Sequence, residues 1–159
     1  METLAPAGDV RAARRRLEIR RGLRGIALAL LVGVLAWSAG GKLFWPGEFQ
    51  RLMATWGLIP PKLIPAVAYT VPASELVLAA ALVVRRLRVA ALFGVLYLAV
   101  CFSGIHAFLI WAGTAVPCGC AGLALSFASR PGHIVLLGLS LALALAATLL
   151  LFTAPRCSR

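Results

Sequence analysis

Four long apolar runs, parted by short charged or turn-forming stretches, dominate the pattern of this chain. They cover about Gly25 to Gly41, Leu63 to Val84, Val89 to Val116, and Gly132 to Ala154. About 20 apolar residues in a helix cross the roughly 30 Å of bilayer hydrocarbon. The first run is near the lower limit, so Arg24 and Lys42 are expected to snorkel toward the surfaces. Gly40-Gly41 is expected to weaken its outer end. The third run is longer than a membrane needs, so its last part is expected to be loop.

A different pattern lies between the first two runs. Phe49, Leu52, Met53 and Trp56 recur at i, i+3, i+4 and i+7, with Gln50, Arg51 and Thr55 between them. That spacing predicts a short amphipathic helix. Gly57 can cap it, and Pro60-Pro61 stops it. Trp45 and Trp56 fit an interfacial aromatic belt. The helix is read as lying on the outer surface, which is compatible with a lid packed on the bundle. The fold class expected is therefore an all-α membrane protein. It is a four-transmembrane-helix bundle with a short interfacial helix between spans 1 and 2.

Composition supports this class. Of the 159 residues, 62% are hydrophobic and 13% charged. Soluble domains are usually about 45–50% apolar and about 25% charged. A net charge of +11 raises the question of nucleic acid. The cations instead flank the apolar runs, as topology determinants do. Arg11, Arg14, Arg15, Arg16, Arg20, Arg21 and Arg24 precede the first span, Arg85, Arg86 and Arg88 sit in one turn, and Arg156 and Arg159 close the chain. The other two connections hold Lys42, Arg51, Lys62 and Arg130. This bias predicts a multi-pass protein of a bacterial inner membrane with both termini cytoplasmic.

Three parts follow: a basic cytoplasmic tail over residues 1–24, a four-helix transmembrane domain over 25–154, and a short cytoplasmic tail over 155–159. The first tail is read as partly helical from about Val10 and attracted to anionic headgroups. Ser38-Ala39-Gly40-Gly41 is a poor cleavage site, so the first span is expected to stay uncleaved. Arg15-Arg16-Leu17-Glu18 is a poor twin-arginine signal.

Candidate chemistry centres on Val116-Pro117-Cys118-Gly119-Cys120-Ala121-Gly122, a loop expected to face outward, where disulfides persist. Gly119 relaxes the backbone enough for Cys118 and Cys120 to reach disulfide geometry. So small a ring is expected to be strained, and strained, exposed disulfides exchange most readily. A redox-active pair is the favoured reading, against two ordinary small loop residues. A metal set of His106, Cys118, Cys120 and His133 is a third reading, although its spacing matches no standard zinc pattern. Each histidine alone also reads as an interfacial or packing residue. Cys101 is expected to be a small buried residue in mid-span. Cys157 is expected to be a reduced thiol on the cytoplasmic side, where lipidation is an alternative.

Glu75 is the only acid inside a span. An ionised acid at mid-bilayer costs roughly 2.5–3.5 kcal/mol on insertion scales. It must therefore face the bundle, be paired, or be protonated. Pro72 loosens the helix one turn earlier. Lys42 is the candidate partner, and Ser74 and Ser103 are candidates to line the same interior.

These residues, in this order, resemble a family. Gly41-Lys42-Leu43-Phe44 follows the first span, then come the aromatic helix, Leu58-Ile59-Pro60, Pro72-Ala73-Ser74-Glu75-Leu76, and Cys118-Gly119-Cys120 before the last span. This is similar to the MauE/DoxX-like membrane proteins, specifically the MauE branch of methylamine utilisation, over about residues 25–152. The resemblance implies a four-helix membrane protein that supports maturation of a disulfide-rich exported protein of the methylamine dehydrogenase type. It implies a periplasmic thioredoxin-like partner, MauD in that family, and gives Lys42, Pro72, Glu75, Cys118 and Cys120 as the recurring positions. Where the family loop often reads Cys-x-Cys-Phe-Gly, Ala121 stands here in place of the aromatic. An accessory thiol-redox protein without a cofactor is the expectation, rather than a stand-alone enzyme. The alternatives are a DoxX-type, quinone-linked electron-transfer subunit, with its pocket near Glu75, and a non-catalytic membrane scaffold.

Overall fold

A computed structural model of the chain describes residues 7–113 and 130–153, with side chains from 14 and 131 onward in each part. The described residues form α1 (Ala7–Phe44), α2 (Pro46–Trp56), a 3-10 turn (Pro61–Leu63), α3 (Ile64–Val83), α4 (Arg88–Trp111) and α5 (Arg130–Phe152). No strand occurs among them. Four helices are long and apolar enough to cross a membrane: those over Arg14–Phe44, Pro61–Val83, Arg88–Trp111 and Pro131–Phe152. The chain is an all-α, multi-pass membrane protein.

The first helix is longer than its apolar run. α1 has 38 residues, about 57 Å at 1.5 Å per residue, roughly twice the thickness of the hydrocarbon. It runs unbroken through Gly40-Gly41, so the expected weak outer end is not found. Glycine's cost in a helix is about 1 kcal/mol, and packing of the neighbouring Ala39 and Lys42, both fully buried, offsets it. The Arg14–Arg24 stretch continues the same helix and stays exposed or half-exposed.

Two apolar clusters mark the two ends of the bundle. One joins Leu31 and Leu35 of α1 to Leu82, Leu92, Val95 and Leu150. The other joins Phe49, Met53 and Trp56 of α2 to Ile64, Ala68, Leu109 and Leu136. The second cluster brings the start of α3, the end of α4 and the start of α5 together under α2. The helix α2 is thus a lid on one end of the bundle. Its other face carries the exposed pair Glu48–Arg51, with Arg51 Nη1 3.0 Å from Glu48 Oε1. Gly57 ends the helix at φ 66°, a left-handed conformation that glycine adopts without a Cβ clash. Trp56 is buried in this cluster, which corrects its assignment to an interfacial belt. It shares a face with Phe49 and Met53, and that face packs. Trp37, Trp45 and Trp111 are the exposed tryptophans.

The inward face of α3 carries smaller residues than its outward face. On α3, Ala68, Pro72, Glu75, Ala79 and Leu82 are buried, while Tyr69, Leu76, Val77 and Val83 are exposed. Small residues let helix backbones approach closely, and packing between helices in lipid depends on that approach. At Gly94 a Cβ would meet the end of the Leu78 side chain, so α4 and α3 approach closely there.

Candidate functional site

The polar residues of the interior lie between the two apolar clusters. Glu75 sits about three turns into α3, about 16 Å along its axis and near the middle of the helix. Lys42 reaches it from the last turn of α1, and both side chains are at most 1% exposed. Lys42 Nζ lies 2.5 Å from Glu75 Oε1 and donates to it. It also donates to Ser38 Oγ at 2.8 Å. Ser38 in turn donates to Glu75 Oε1 at 3.2 Å. One carboxylate oxygen thus accepts from both partners. The other, Oε2, is buried and has no hydrogen-bond partner among the described residues.

Aromatic faces complete the surroundings of the ammonium. Lys42 Nζ lies 5.2 Å from the centroid of the Phe102 ring and 5.6 Å from that of Phe49. Both distances are within cation–π range. Phe49 belongs to α2, so the lid helix also covers the charge pair. A buried ion pair has to be close and hydrogen-bonded to recover the cost of desolvation. Here Ser38 and the two rings supply contacts that a bare pair would lack.

Helix geometry explains the assembly. Ser38 precedes Lys42 by four residues and therefore shares its face of α1. Pro72 precedes Glu75 by three and shares the buried face of α3. Pro72 has no N–H to close the turn in which it sits. Of the candidates named from the sequence, Lys42, Glu75 and Pro72 are thus brought to one place. Ser38 was missed, although its i, i+4 relation to Lys42 was there to be read. Ser74 and Ser103 do not join the cluster through their hydroxyls. Ser74 donates to Val71 O at 2.7 Å and Ser103 to Ala99 O at 2.8 Å, each within its own helix.

A second buried pair lies toward the lid end. His106, near the end of α4, and His133, near the start of α5, have ring centroids 5.8 Å apart and are at most 1% exposed. Two of the four residues of the candidate metal set are therefore adjacent. Cys118 and Cys120 lie outside the described residues, as does Cys157. Among the described residues no group of three metal-ligating side chains occurs. Cys101 is exposed on α4, which corrects the expectation that it is buried. Against lipid a thiol is a small apolar group, so the outward face suits it equally well.

A cavity of about 320 Å³ opens between α1 and α5. Its lining includes Gly33, Trp37 and Ser38 of α1 and Ser140 of α5, with Glu75 and Phe102 behind them.

The comparison with known families decides what this assembly belongs to. The model of the family described as methylamine utilisation protein MauE matches residues 20–153. The chain belongs to the MauE family. The match spans all four transmembrane helices and α2, so the buried Ser38–Lys42–Glu75 cluster lies within the MauE domain. Neither the curated proteins nor the solved structures yield a match.

Proposed function

We propose that this MauE-family membrane protein is an accessory factor for maturation of an exported protein, acting through Cys118 and Cys120 on the outward face of the bacterial inner membrane. The observation that carries the reading is the shared end of the bundle. α4 stops at Trp111 and α5 begins at Arg130, both at the end that α2 covers, so the chain between these helices is anchored at that end on both sides. Arg14 to Arg24 and Arg85, Arg86 and Arg88 lie toward the opposite end. By the excess of cations on cytoplasmic segments, the α2 end faces outward and both termini lie in the cytoplasm.

In this reading the cysteines exchange with a periplasmic thioredoxin-like partner. The thiolate of one attacks the partner's disulfide and releases one partner thiolate. The thiolate of the other then attacks the mixed disulfide. The pair ends oxidised and the partner ends as a reduced dithiol. The reverse sequence oxidises the partner. The family description names methylamine utilisation, so in this reading an exported protein of that metabolism is the first client to test.

The test is the double variant Cys118→Ser/Cys120→Ser in cells that express the client. Loss of client disulfides, with the membrane protein still present at its normal level, is the expected result. Client disulfides that form as before would overturn the thiol-exchange reading.

A further inference from the structure

We propose that the end of the bundle opposite α2 carries a site for the headgroup of an anionic phospholipid, between the last arginines before the first span and the turn that joins α3 to α4. The site is independent of the thiol pair. Leu28 of α1, Leu82 of α3 and Ala91 of α4 lie in or against the apolar cluster at this end. Arg24 precedes Leu28 by four residues, Arg85 and Arg86 follow Leu82 by three and four, and Arg88 precedes Ala91 by three. Four arginines from two separate segments thus stand about one helical turn, about 5 Å, beyond the same apolar floor. In a membrane that is where hydrocarbon gives way to headgroups.

The charge here is uncompensated. Arg20, Arg21, Arg85 and Arg86 are exposed, Arg24 is half-buried, and none of these five has an ion-pair partner among the described residues. Glu18 is the only acid at this end among the described side chains, and it pairs with Arg14 at 3.6 Å. The turn itself is held in place. Arg88 Nε donates to Leu82 O at 3.0 Å and Nη2 to Val83 O at 3.5 Å, so this guanidinium caps the end of α3. Leu87 N donates to Val84 O at 3.0 Å, and Ala91 N to Leu87 O at 2.8 Å. Arg85 and Arg86 therefore stand exposed on a turn tied to both helices.

The neighbours of these cations select a lipid over a water-borne acidic partner. Leu23 and Ile26 on α1 and Val83, Leu87 and Val89 around the turn are all exposed. A phospholipid satisfies both kinds of side chain, with its phosphate on the guanidinium groups and its acyl chains on the apolar ones. Guanidinium matches phosphate with paired, charge-assisted hydrogen bonds. A headgroup with net negative charge suits the site better than a zwitterionic one, whose ammonium would meet the same arginines. Depth limits the site as well. Along α1, Arg21 and Arg20 lie about 5–6 Å beyond Arg24, whereas Arg16, Arg15 and Arg14 lie about 12–15 Å beyond it. The screening length at physiological salt is about 8 Å, so the outer three contribute little. The site comprises Arg20, Arg21, Arg24, Arg85 and Arg86, not the whole basic tail.

The experiment is native mass spectrometry of the full chain released from detergent, which counts retained lipids. The probes are phosphatidylglycerol and phosphatidylcholine with identical acyl chains, with inorganic phosphate and a peptide of glutamates as competitors. Saturable retention of phosphatidylglycerol is expected, with phosphatidylcholine at least about tenfold weaker. Arg85→Gln/Arg86→Gln and Arg21→Gln/Arg24→Gln should each weaken phosphatidylglycerol binding about tenfold or more. Arg14→Gln/Arg15→Gln/Arg16→Gln should change it by less than about twofold. None of these side chains belongs to the apolar clusters, and an unchanged Tm shows that each variant is folded. Equal retention of the two lipids, undiminished binding in either inner variant, or an equal loss in the outer variant would overturn the proposal. So would displacement of the lipid at similar concentration by inorganic phosphate, which would assign a free anion, or by the peptide, which would assign an acidic protein.

Discussion

Lys42 and Glu75 are 33 residues apart in sequence, and Lys42 Nζ lies 2.5 Å from Glu75 Oε1 inside the membrane-spanning bundle. Removing one member of such a pair leaves the other charged and buried, which typically costs about 3–5 kcal/mol. Glu75→Ala and Lys42→Ala should each lose that much stability, read as loss of folded protein on titration with a denaturing detergent. The double variant Lys42→Met/Glu75→Leu removes both charges and should recover most of the loss. A double variant as unstable as the sum of the two singles would show that the pair is not the unit that matters.

Ser38 should matter less. Its hydroxyl donates to Glu75 and accepts from Lys42, and hydrogen bonds to charged groups contribute about 1.5–3 kcal/mol. Ser38→Ala is expected to cost about that much in the same assay. In the background of the Lys42→Met/Glu75→Leu double variant the cost should shrink to a few tenths of a kcal/mol, because both charged partners are gone. An undiminished cost there would mean that Ser38 acts through something other than these two residues.

The two faces of α2 should respond differently. Met53 is 1% exposed in the lid cluster, so Met53→Ala is expected to cost about 2–5 kcal/mol. Arg51 forms only an exposed pair with Glu48, and Arg51→Ala should fall within about 0.5 kcal/mol of wild type. Similar effects at both positions would indicate that α2 lies on the membrane without packing on the bundle. Gly57→Ala should cost about 1–2 kcal/mol, the strain of a left-handed conformation on an alanine.

Thiol labelling in intact cells checks orientation. A membrane-impermeant maleimide added outside should modify Cys118 and Cys120, after mild reduction if they are joined, and should leave Cys157 unmodified. Cys101 is exposed at mid-helix, so it should react with a lipid-soluble maleimide and resist the impermeant one. Labelling of Cys157 from outside, with the pair protected, would mean that the topology is inverted.

Much of this architecture was legible in the chain because it rests on local chemistry. The spacing of Phe49, Met53 and Trp56 placed a short amphipathic helix, and Gly57 with Pro60-Pro61 ended it. Apolar runs of membrane length gave the spans, and α3 and α5 lie within about two residues of the expected bounds. The length of α1 was less legible. Its apolar run is short, and only a helix already held by packing carries on through Gly40-Gly41.

The inward faces were a different matter. In a soluble helix the apolar stripe marks the buried side, but in α3, α4 and α5 nearly every position is apolar. Hydrophobic periodicity then carries no signal. Which side faces in depends on side-chain size and on a few polar atoms, so Cys101 was placed on the wrong side.

By itself, the sequence determined four membrane spans, a surface helix, the charge bias between the two ends, and the need of Glu75 for a partner. A lone acid in hydrocarbon requires one, and Lys42 was the cation at a suitable depth. Only the tertiary structure decided that Ser38, Phe49 and Phe102 join that pair, that His106 meets His133, and that α1 and α5 part to leave a cleft. Each of these depends on how separate helices rotate and approach, and that is set by packing between surfaces distant in the chain.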